Sequence, residues 1–249
     1  MLTQKSYKLS RAKMLALLDE IGKISEAATS VYLPPAISSN ETETMLANIT
    51  GLSGTAVEIE KLPVSSETGS VLFWGTSRKL LVTPPFPRKE KFLASGYDVD
   101  TLKSMLSHHY LIGIVLVRLG TYSIGLCKGE KLIDHHTGTG LVHGRHRQGG
   151  SSSHRFEHRR REQAYHFLER VGEHAREKLE PYVKTLDYLV YGGARTTILQ
   201  LRKQIPFLEK FDDRLLPPRL NITEPKYEVL EKVAGDVWMS GVTEWREDN

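Results

Sequence analysis

The chain has 249 residues, of which 39% are hydrophobic, enough apolar material to bury the core of one large domain or two modest ones. Its single cysteine, Cys127, excludes an internal disulfide and any cysteine-rich zinc site, and no apolar run approaches membrane-spanning length. The formal charge of +4 is concentrated, because residues 141–161 contain six arginines and one glutamate while the rest of the chain is close to neutral. These features predict a cytoplasmic protein without a membrane partner and with one basic segment suited to a phosphate backbone.

The pattern of residues 1–66 predicts a small N-terminal α/β segment with helices and one strand. Apolar residues recur at helical spacing over residues 8–28, and a short strand at SVYLPP and a helix with a polar cap at SSNETETMLANITGL follow. This segment contains no motif that points to a chemistry, so its role stays open.

From Gly69 onward the pattern changes to strands. SVLFWGTS and KLLVTPPFP predict a hairpin, and DVDTLKSMLSHH predicts a short helix capped by Asp98 or Asp100. Residues 110–138 then predict three strands joined by two turns. The first of these, residues 112–119, is apolar on both faces and is expected in the centre of a sheet.

A polar loop at residues 144–153 is followed by a long basic helix at residues 153–179. Its expected core stripe consists of Ala164, Phe167, Leu168, Val171, Ala175 and Leu179, with Phe156 joining one turn earlier. A buried strand at TLDYLVYGG, a helix at ARTTILQLRKQIPFL, a strand at RLNITEP and a closing helix at YEVLEKVAGDVWMSG complete the prediction. The fold class is therefore α/β (α+β), a mixed sheet with helices packed on its faces, and residues 67–249 are expected to form the second domain.

The loop and the first turns of the long helix form the strongest candidate site. Gly149 and Gly150 allow the backbone to approach a ligand closely, and the N-terminus of a helix attracts anions. Arg155 and Arg159 lie one turn apart on one face, as do His154, His158 and Arg161 on another. A solvated helix face is the alternative, but the segment uses arginine and no lysine, which favours bidentate phosphate recognition.

The sequence lacks the residue patterns that other kinds of catalytic site require. The pairs His135-His136 and His143-x-x-His146 have no acid or cysteine at a matching spacing, so no metal is expected. The serines before His154 lack a nucleophile elbow, and the sequence contains no phosphate loop. The central strands also lack the carboxylate cluster of a two-metal nuclease, and no cofactor is predicted.

The run from TPPFP through HRQGGSSSHRFEHRRREQAYHFLERVGEHAREKL to LDYLVYGGARTTILQL resembles the catalytic middle domain of eukaryotic and archaeal class-1 translation release factors. That family has a Gly-Gly-Gln loop leading into an arginine-rich helix. Gly149, Gly150, Arg155, Phe156 and Arg160 match its pattern without a gap. The resemblance covers roughly residues 84–240 and is closer to the Vms-like release-factor group. The stop-codon-reading domain of the classical factors has no counterpart here, which favours codon-independent rescue over normal termination.

The resemblance implies a monomeric, ribosome-associated rescue factor whose partners are large-subunit rRNA and peptidyl-tRNA. Its loop would promote codon-independent hydrolysis of peptidyl-tRNA on stalled ribosomes, with Gln148, Gly149, Gly150, Ser151 and Ser152 as the catalytic loop residues. The RNA-binding residues would be Arg145, Arg147, His154, Arg155, His158, Arg159, Arg160 and Arg161.

One departure leaves alternatives open. The family's glutamine falls on Ser151, or on Ser152 or Ser153 in the Vms-like placements, and the only loop glutamine precedes the glycines at position 148. Either the glycine hinge re-aims Gln148 onto the attacking water, or a serine positions that water less well, or the chain binds RNA without hydrolysis. A metal-dependent hydrolase that uses the histidines is a further, weaker alternative.

Overall fold

The computed structural model describes residues 2–47, 49, 66–142, 153–217, 220–222 and 224–247. The chain divides into two compact units: Met1–His108 together with Gly235–Asn249, and His109–Ala234. Secondary-structure elements are numbered in chain order. Both units combine sheet and helix, which confirms the mixed α/β fold class.

The first unit is built on an antiparallel sheet. Its strands are β1 (Leu2–Leu9), β2 (Ala28–Leu33), β3 (Ser70–Gly75), β4 (Lys79–Thr83), β5 (Phe92–Ser95) and β10 (Ser240–Glu247). Within the described residues the strand order is β1-β10-β4-β3-β2-β5. The helices are α1 (Arg11–Ile21), α2 (Ser39–Leu46) and α3 (Asp100–Ser107). Trp74 and Trp245, whose ring centroids lie 5.8 Å apart, pack in a core with Val31, Leu72 and Leu81.

Several predictions for this unit are confirmed and others are wrong. The hairpin of β3 and β4 forms as expected, and the Ser38 hydroxyl accepts a hydrogen bond from the Glu41 amide at the start of α2. The helix expected over residues 8–28 is limited to Arg11–Ile21, because the preceding residues pair with β10. Neither Asp98 nor Asp100 caps α3: Val99 occupies that position and Asp100 is the first helical residue.

The second unit has a four-stranded mixed sheet. Its strands are β6 (Leu111–Arg118), β7 (Thr121–Lys128), β8 (Lys131–Thr139) and β9 (Tyr188–Gly193), in the order β8-β7-β6-β9. The helices are α4 (Ser153–Leu179), α5 (Arg195–Gln204) and α6 (Tyr227–Asp236), the last of which continues into the first unit, and 3₁₀ turns occupy Glu180–Tyr182 and Pro206–Arg214.

Strand β6 lies in the interior of this sheet, as its two apolar faces predict. It pairs antiparallel with β7 and parallel with β9. The parallel pairing requires a crossover connection, and α4 lies in the stretch of chain that returns from β8 to β9. The buried side chains Phe167, Leu168, Val171, Ala175 and Leu179 of α4 join the core of this unit, which confirms these five positions of the predicted stripe. Ala164, the sixth, is half-buried and is not part of this buried cluster.

Two predictions near the C-terminus are wrong. In the RLNITEP segment, the described residues contribute only an isolated bridge between Gly192 and Leu220 in place of a strand. The helix α6 ends at Asp236, and the residues after it form β10, which the sequence pattern missed. Strand β10 lies between β1 and β4, so its identity depends on partners that are distant in the chain.

The boundary expected at residues 66/67 differs from the observed division. Strand β2 pairs with β3 along its whole length, from Ala28 opposite Gly75 to Leu33 opposite Ser70. Residues on both sides of position 66 therefore share one sheet, and the compact units separate at 108/109 and 234/235. The assignment of the first 66 residues to a functional unit of their own stays a prediction.

The described part of the chain contains no helix with both the length and the apolar character needed to cross a membrane.

Candidate nucleic-acid interface

The long helix α4 begins at Ser153 and ends at Leu179, at the bounds predicted from the sequence. The loop that precedes it is outside the described residues. The predicted catalytic and RNA-binding positions that lie there are Arg145, Arg147, Gln148, Gly149, Gly150, Ser151 and Ser152.

The first turns of α4 are exposed to solvent. Residues 154–162 are exposed except for the half-buried Arg160, and contacts with the core of the unit start at Phe167. The prediction that Phe156 joins the core stripe is wrong, because half of its side chain is exposed (50%). The structure therefore leaves His154, Arg155, His158 and Arg159 at the surface, as an interface requires.

The exposed turns carry a concentrated positive charge. Residues 153–161 contain four arginines and one glutamate. Within the described chain, Arg155, Arg159 and Arg161 have no ion-pair or hydrogen-bond partner, and the His158 Nδ1 lies 3.4 Å from the Glu162 Oε1. The helix N-terminus adds its own partial positive charge. An anionic ligand would meet guanidinium groups that are not already paired with carboxylates.

A groove between α4 and α5 adds residues that the sequence analysis missed. It encloses about 570 Å³ and is lined from α4 by Arg160, Arg161 and Tyr165 and from α5 by Gln200, Lys203 and Gln204. The smaller apolar side chains of the lining are Leu119, Ala164 and Leu168. Spacing within α5 puts its three residues on one face, but only the packing of α5 against α4 brings them beside the arginines.

Two close contacts hold these helices together. The Gln204 Nε2 donates a hydrogen bond of 2.8 Å to the backbone oxygen of Tyr165. Gly172 lies against Ile205, where a Cβ atom would come within 2.5 Å of the isoleucine Cγ1. Both contacts lie at the C-terminal end of α5, where Gln204 is its last residue and Ile205 follows it.

The histidines of β8 do not converge. His135 and His136 are neighbours in a strand, so their side chains point to opposite faces. The ring of His136 stacks on that of His174 with centroids 3.9 Å apart, whereas the ring of His135 lies 4.9 Å from that of Tyr227. Burial, and then the neighbouring His174, lowers the pKa of His136, which favours its neutral form.

Neither a metal cluster nor a reactive thiol is present among the residues that the structure describes. No group of three or more His, Cys, Asp or Glu side chains is arranged there to hold an ion. His143 and His146 are outside the described residues. Cys127 is buried, and burial raises the pKa of its thiol to about 12, so the thiolate is suppressed.

The candidate interface lies in a region that matches a family model. The model describes the Actinobacteria/chloroflexi VLRF1 release factor, and it matches residues 110–243, more than half of the chain. The chain belongs to this release-factor family. The matched region runs from the start of β6 into β10 and contains both the Gly-Gly loop and α4.

Curated release factors of archaea are similar to the chain over part of its length. The peptide chain release factor subunit 1 of Archaeoglobus fulgidus is 36% identical over 113 residues, which are 45% of this chain and 28% of that protein. The corresponding protein of Aeropyrum pernix is 28% identical over 201 residues, 70% of this chain and 54% of that protein. The chain thus spans between about a quarter and a half of the length of these relatives.

Two solved structures are similar to this chain. One is the archaeal translation termination factor aRF1, at 20% identity and a TM-score of 0.41, covering 92% of this chain and 73% of that one. The other is the Vms1 mitochondrial localization core, at 9% identity and a TM-score of 0.42, covering 86% of this chain and 95% of that one.

Proposed function

We propose that this release-factor family member is a cytoplasmic ribosome rescue factor that hydrolyses the ester of peptidyl-tRNA on stalled ribosomes without reading a codon. The observation that supports it most is the exposed, cationic start of α4 directly after the Gly-Gly loop, inside the region that matches the family. In this proposal α4 docks on large-subunit rRNA or the tRNA acceptor end and carries the loop to the ester.

The chemistry requires a water molecule positioned against the ester carbonyl and donors for two oxygens, the developing oxyanion and the departing ribose oxygen. A primary amide can both accept a hydrogen bond from the water and donate one, so Gln148 is proposed to orient the water. Gly149 and Gly150 are proposed to allow close approach of the backbone, whose amides can donate to the oxyanion. Ser151 and Ser152 are the alternative groups for positioning the water.

Peptide release from purified stalled ribosomal complexes tests this proposal. Wild-type protein is expected to release the peptide. Gln148→Ala, at a saturating protein concentration, is expected to lower the release rate by about 10²-fold, the scale of loss when a reacting group is no longer held in position. Lys184→Ala, an exposed residue away from the interface, serves as the matched control and is expected to release at the wild-type rate. Absence of release by the wild type contradicts the hydrolytic proposal.

A second candidate is a non-catalytic RNA- or ribosome-binding protein. Serine follows the two glycines where the resembling family has glutamine, and this departure favours it. It predicts salt-sensitive binding that Arg155→Ala and Arg159→Ala weaken, together with no peptide release. A Gln148→Ala variant that releases peptide as fast as the wild type would instead assign the water to a serine, which Ser151→Ala and Ser152→Ala would then test.

A further inference from the structure

The groove between α4 and α5 is cationic. Arg160, Arg161 and Lys203 line it, and none of its described lining residues carries a carboxylate. Arg161 and Lys203 also have no ion-pair partner within the described part of the chain. The unpaired Arg161 guanidinium and Lys203 ammonium face one concave site together with Arg160, and such a set of cations is suited to a phosphate group.

The groove also contains an exposed aromatic ring. Tyr165 is 53% exposed, although the hydrogen bond from Gln204 to its backbone oxygen fixes its position on α4. A half-exposed ring beside cations is the arrangement on which proteins stack unpaired bases, because every base presents a π-face. A purely electrostatic phosphate contact would not require this ring.

Side-chain amides complete the lining. Gln200 is exposed at the groove, and its amide can both donate and accept hydrogen bonds, as the edge of a base requires. The volume of about 570 Å³ lies within the range of roughly 300–1,000 Å³ that pockets for small ligands occupy. The groove is thus large enough for one nucleotide.

We infer that this groove binds a single unpaired nucleotide of RNA. Its phosphate contacts Arg160, Arg161 and Lys203, its base stacks on Tyr165, and Gln200 contacts the base edge. The inference rests on the proposed function for its choice of RNA as the partner. It adds α5 to an interface that the sequence pattern confines to the loop and α4, and it gives that interface a preference for single-stranded over duplex RNA.

Fluorescence anisotropy with the full chain tests the inference. The probes are a labelled single-stranded RNA octamer and a blunt duplex that contains the same sequence. Tyr165→Ala is expected to raise the Kd for the single strand about fivefold or more, since stacking of one base typically contributes at least that factor. Tyr165→Phe keeps the ring and is expected to bind as the wild type does. The matched aromatic control is Tyr227→Ala, on α6, which is also exposed (40%).

The phosphate contact has its own measurement. Lys203→Ala is expected to raise the Kd and to reduce the slope of log K against log salt by about 0.7, the value for one phosphate of a single strand. Lys184→Ala is its matched control and is expected to leave both unchanged. Far-UV circular dichroism and urea unfolding verify that each variant is folded.

Particular outcomes overturn the inference. If Tyr165→Ala and Lys203→Ala both bind the RNA probe with the wild-type Kd, RNA does not occupy the groove, and a protein partner is left as its occupant. An equal loss of duplex and single-strand affinity in Tyr165→Ala would exclude base stacking. If the wild type releases no peptide but the groove variants bind RNA more weakly than the wild type, the hydrolytic proposal is wrong and the inference that the groove binds RNA is retained. If the wild type releases peptide and the groove variants bind RNA with the wild-type Kd, only the inference that the groove binds RNA is wrong.

Discussion

The imidazole of His136 is held between aromatic neighbours on the helix-facing side of β8. It stacks on His174, and its Nε2 lies 3.3 Å from the Tyr122 hydroxyl. Because burial and His174 lower its pKa in the folded state, the unfolded chain binds this proton more readily than the folded one. The stabilisation from the neutral ring is complete above the unfolded pKa of about 6.5 and is lost as the pH falls below it.

We therefore expect the free energy of unfolding to fall between pH 7.5 and pH 5.5, and His136→Phe to make that fall smaller. Phenylalanine keeps the ring but cannot bind a proton. Urea unfolding at both pH values measures the effect, with His109→Phe, an exposed position, as the control. The same pH dependence in His136→Phe and the wild type would show that other groups cause it.

Glu244 of β10 is a buried carboxylate, 4% exposed, between two arginines. Its oxygens lie 3.1 Å from Arg78 and 3.0 Å from Arg246. Burial raises the pKa of Glu244, but the hydrogen bonds and charges of Arg246 and Arg78 outweigh burial and lower it. The carboxylate therefore stays ionised inside the first unit.

Removing this charge is expected to destabilise the protein. Glu244→Gln should reduce the free energy of unfolding by about 1–3 kcal/mol, because it removes the buried charge that pairs with both arginines. The loss is limited because Arg78 keeps its contact with Glu20. Glu43→Gln, on the exposed surface of α2, is expected to change it by less than about 0.5 kcal/mol. Chemical denaturation of both variants at neutral pH measures the difference. Equal free energies of unfolding would show that the Glu244 carboxylate does not stabilise the protein.

At the scale of elements, the approach of α5 to α4 depends on Gly172. An added Cβ would meet the side chain of Ile205, which costs about 1–3 kcal/mol in a packed interface and outweighs the gain of about 1 kcal/mol from alanine in a helix. We expect Gly172→Ala to lower the free energy of unfolding in the wild type and to raise it in an Ile205→Ala background.

A double-mutant cycle in urea measures this change of sign. Gly235→Ala is the matched control, because it lies in α6 with no atom within 4 Å of the added Cβ, and it is expected to be neutral or stabilising. If Gly172→Ala is stabilising in the wild type, the contact with Ile205 does not determine the spacing of the two helices.

The first turns of α4 are expected to contribute to binding but not to stability. Arg155 and Arg159 are exposed and have no partner within the described chain, so their alanine variants should change the free energy of unfolding by less than about 0.5 kcal/mol. The same variants should raise the Kd for RNA and flatten its salt dependence. Denaturation together with anisotropy measures both, and a large loss of stability would indicate that these arginines serve the fold.

At the scale of the whole molecule, each compact unit has a hydrophobic core of its own. We expect a fragment of residues 109–234 to fold alone, with dispersed amide signals in NMR. A fragment of residues 67–249 is expected to aggregate, because it removes β1 and β2 and exposes the edges of β10 and β3. An unfolded 109–234 fragment would show that the second unit depends on the first.

The sequence by itself determined the elements whose signal is local. The sequence of residues 153–179 predicted the bounds of α4 and, except for Ala164, its buried stripe, and two apolar faces predicted that β6 is internal. The spacing of Gly149, Gly150, Arg155, Phe156 and Arg160 led to the release-factor resemblance, and the family match confirmed it. These features depend only on neighbours within a few turns, where the period of side chains reports which face is buried.

Only the tertiary structure decided the rest. The pairing of β1 with β10 joins the two ends of the chain, and backbone hydrogen bonds between such distant segments leave no periodic signal in either one. Lys203 lines the same groove as Arg160 and Arg161 because α5 packs against α4, where Gly172 leaves room for Ile205. Phe156 is exposed because the core of the second unit does not extend to the first turns of α4, although its spacing suits a buried face. Local pattern determines which face of an element is apolar, whereas long-range packing determines what that face meets.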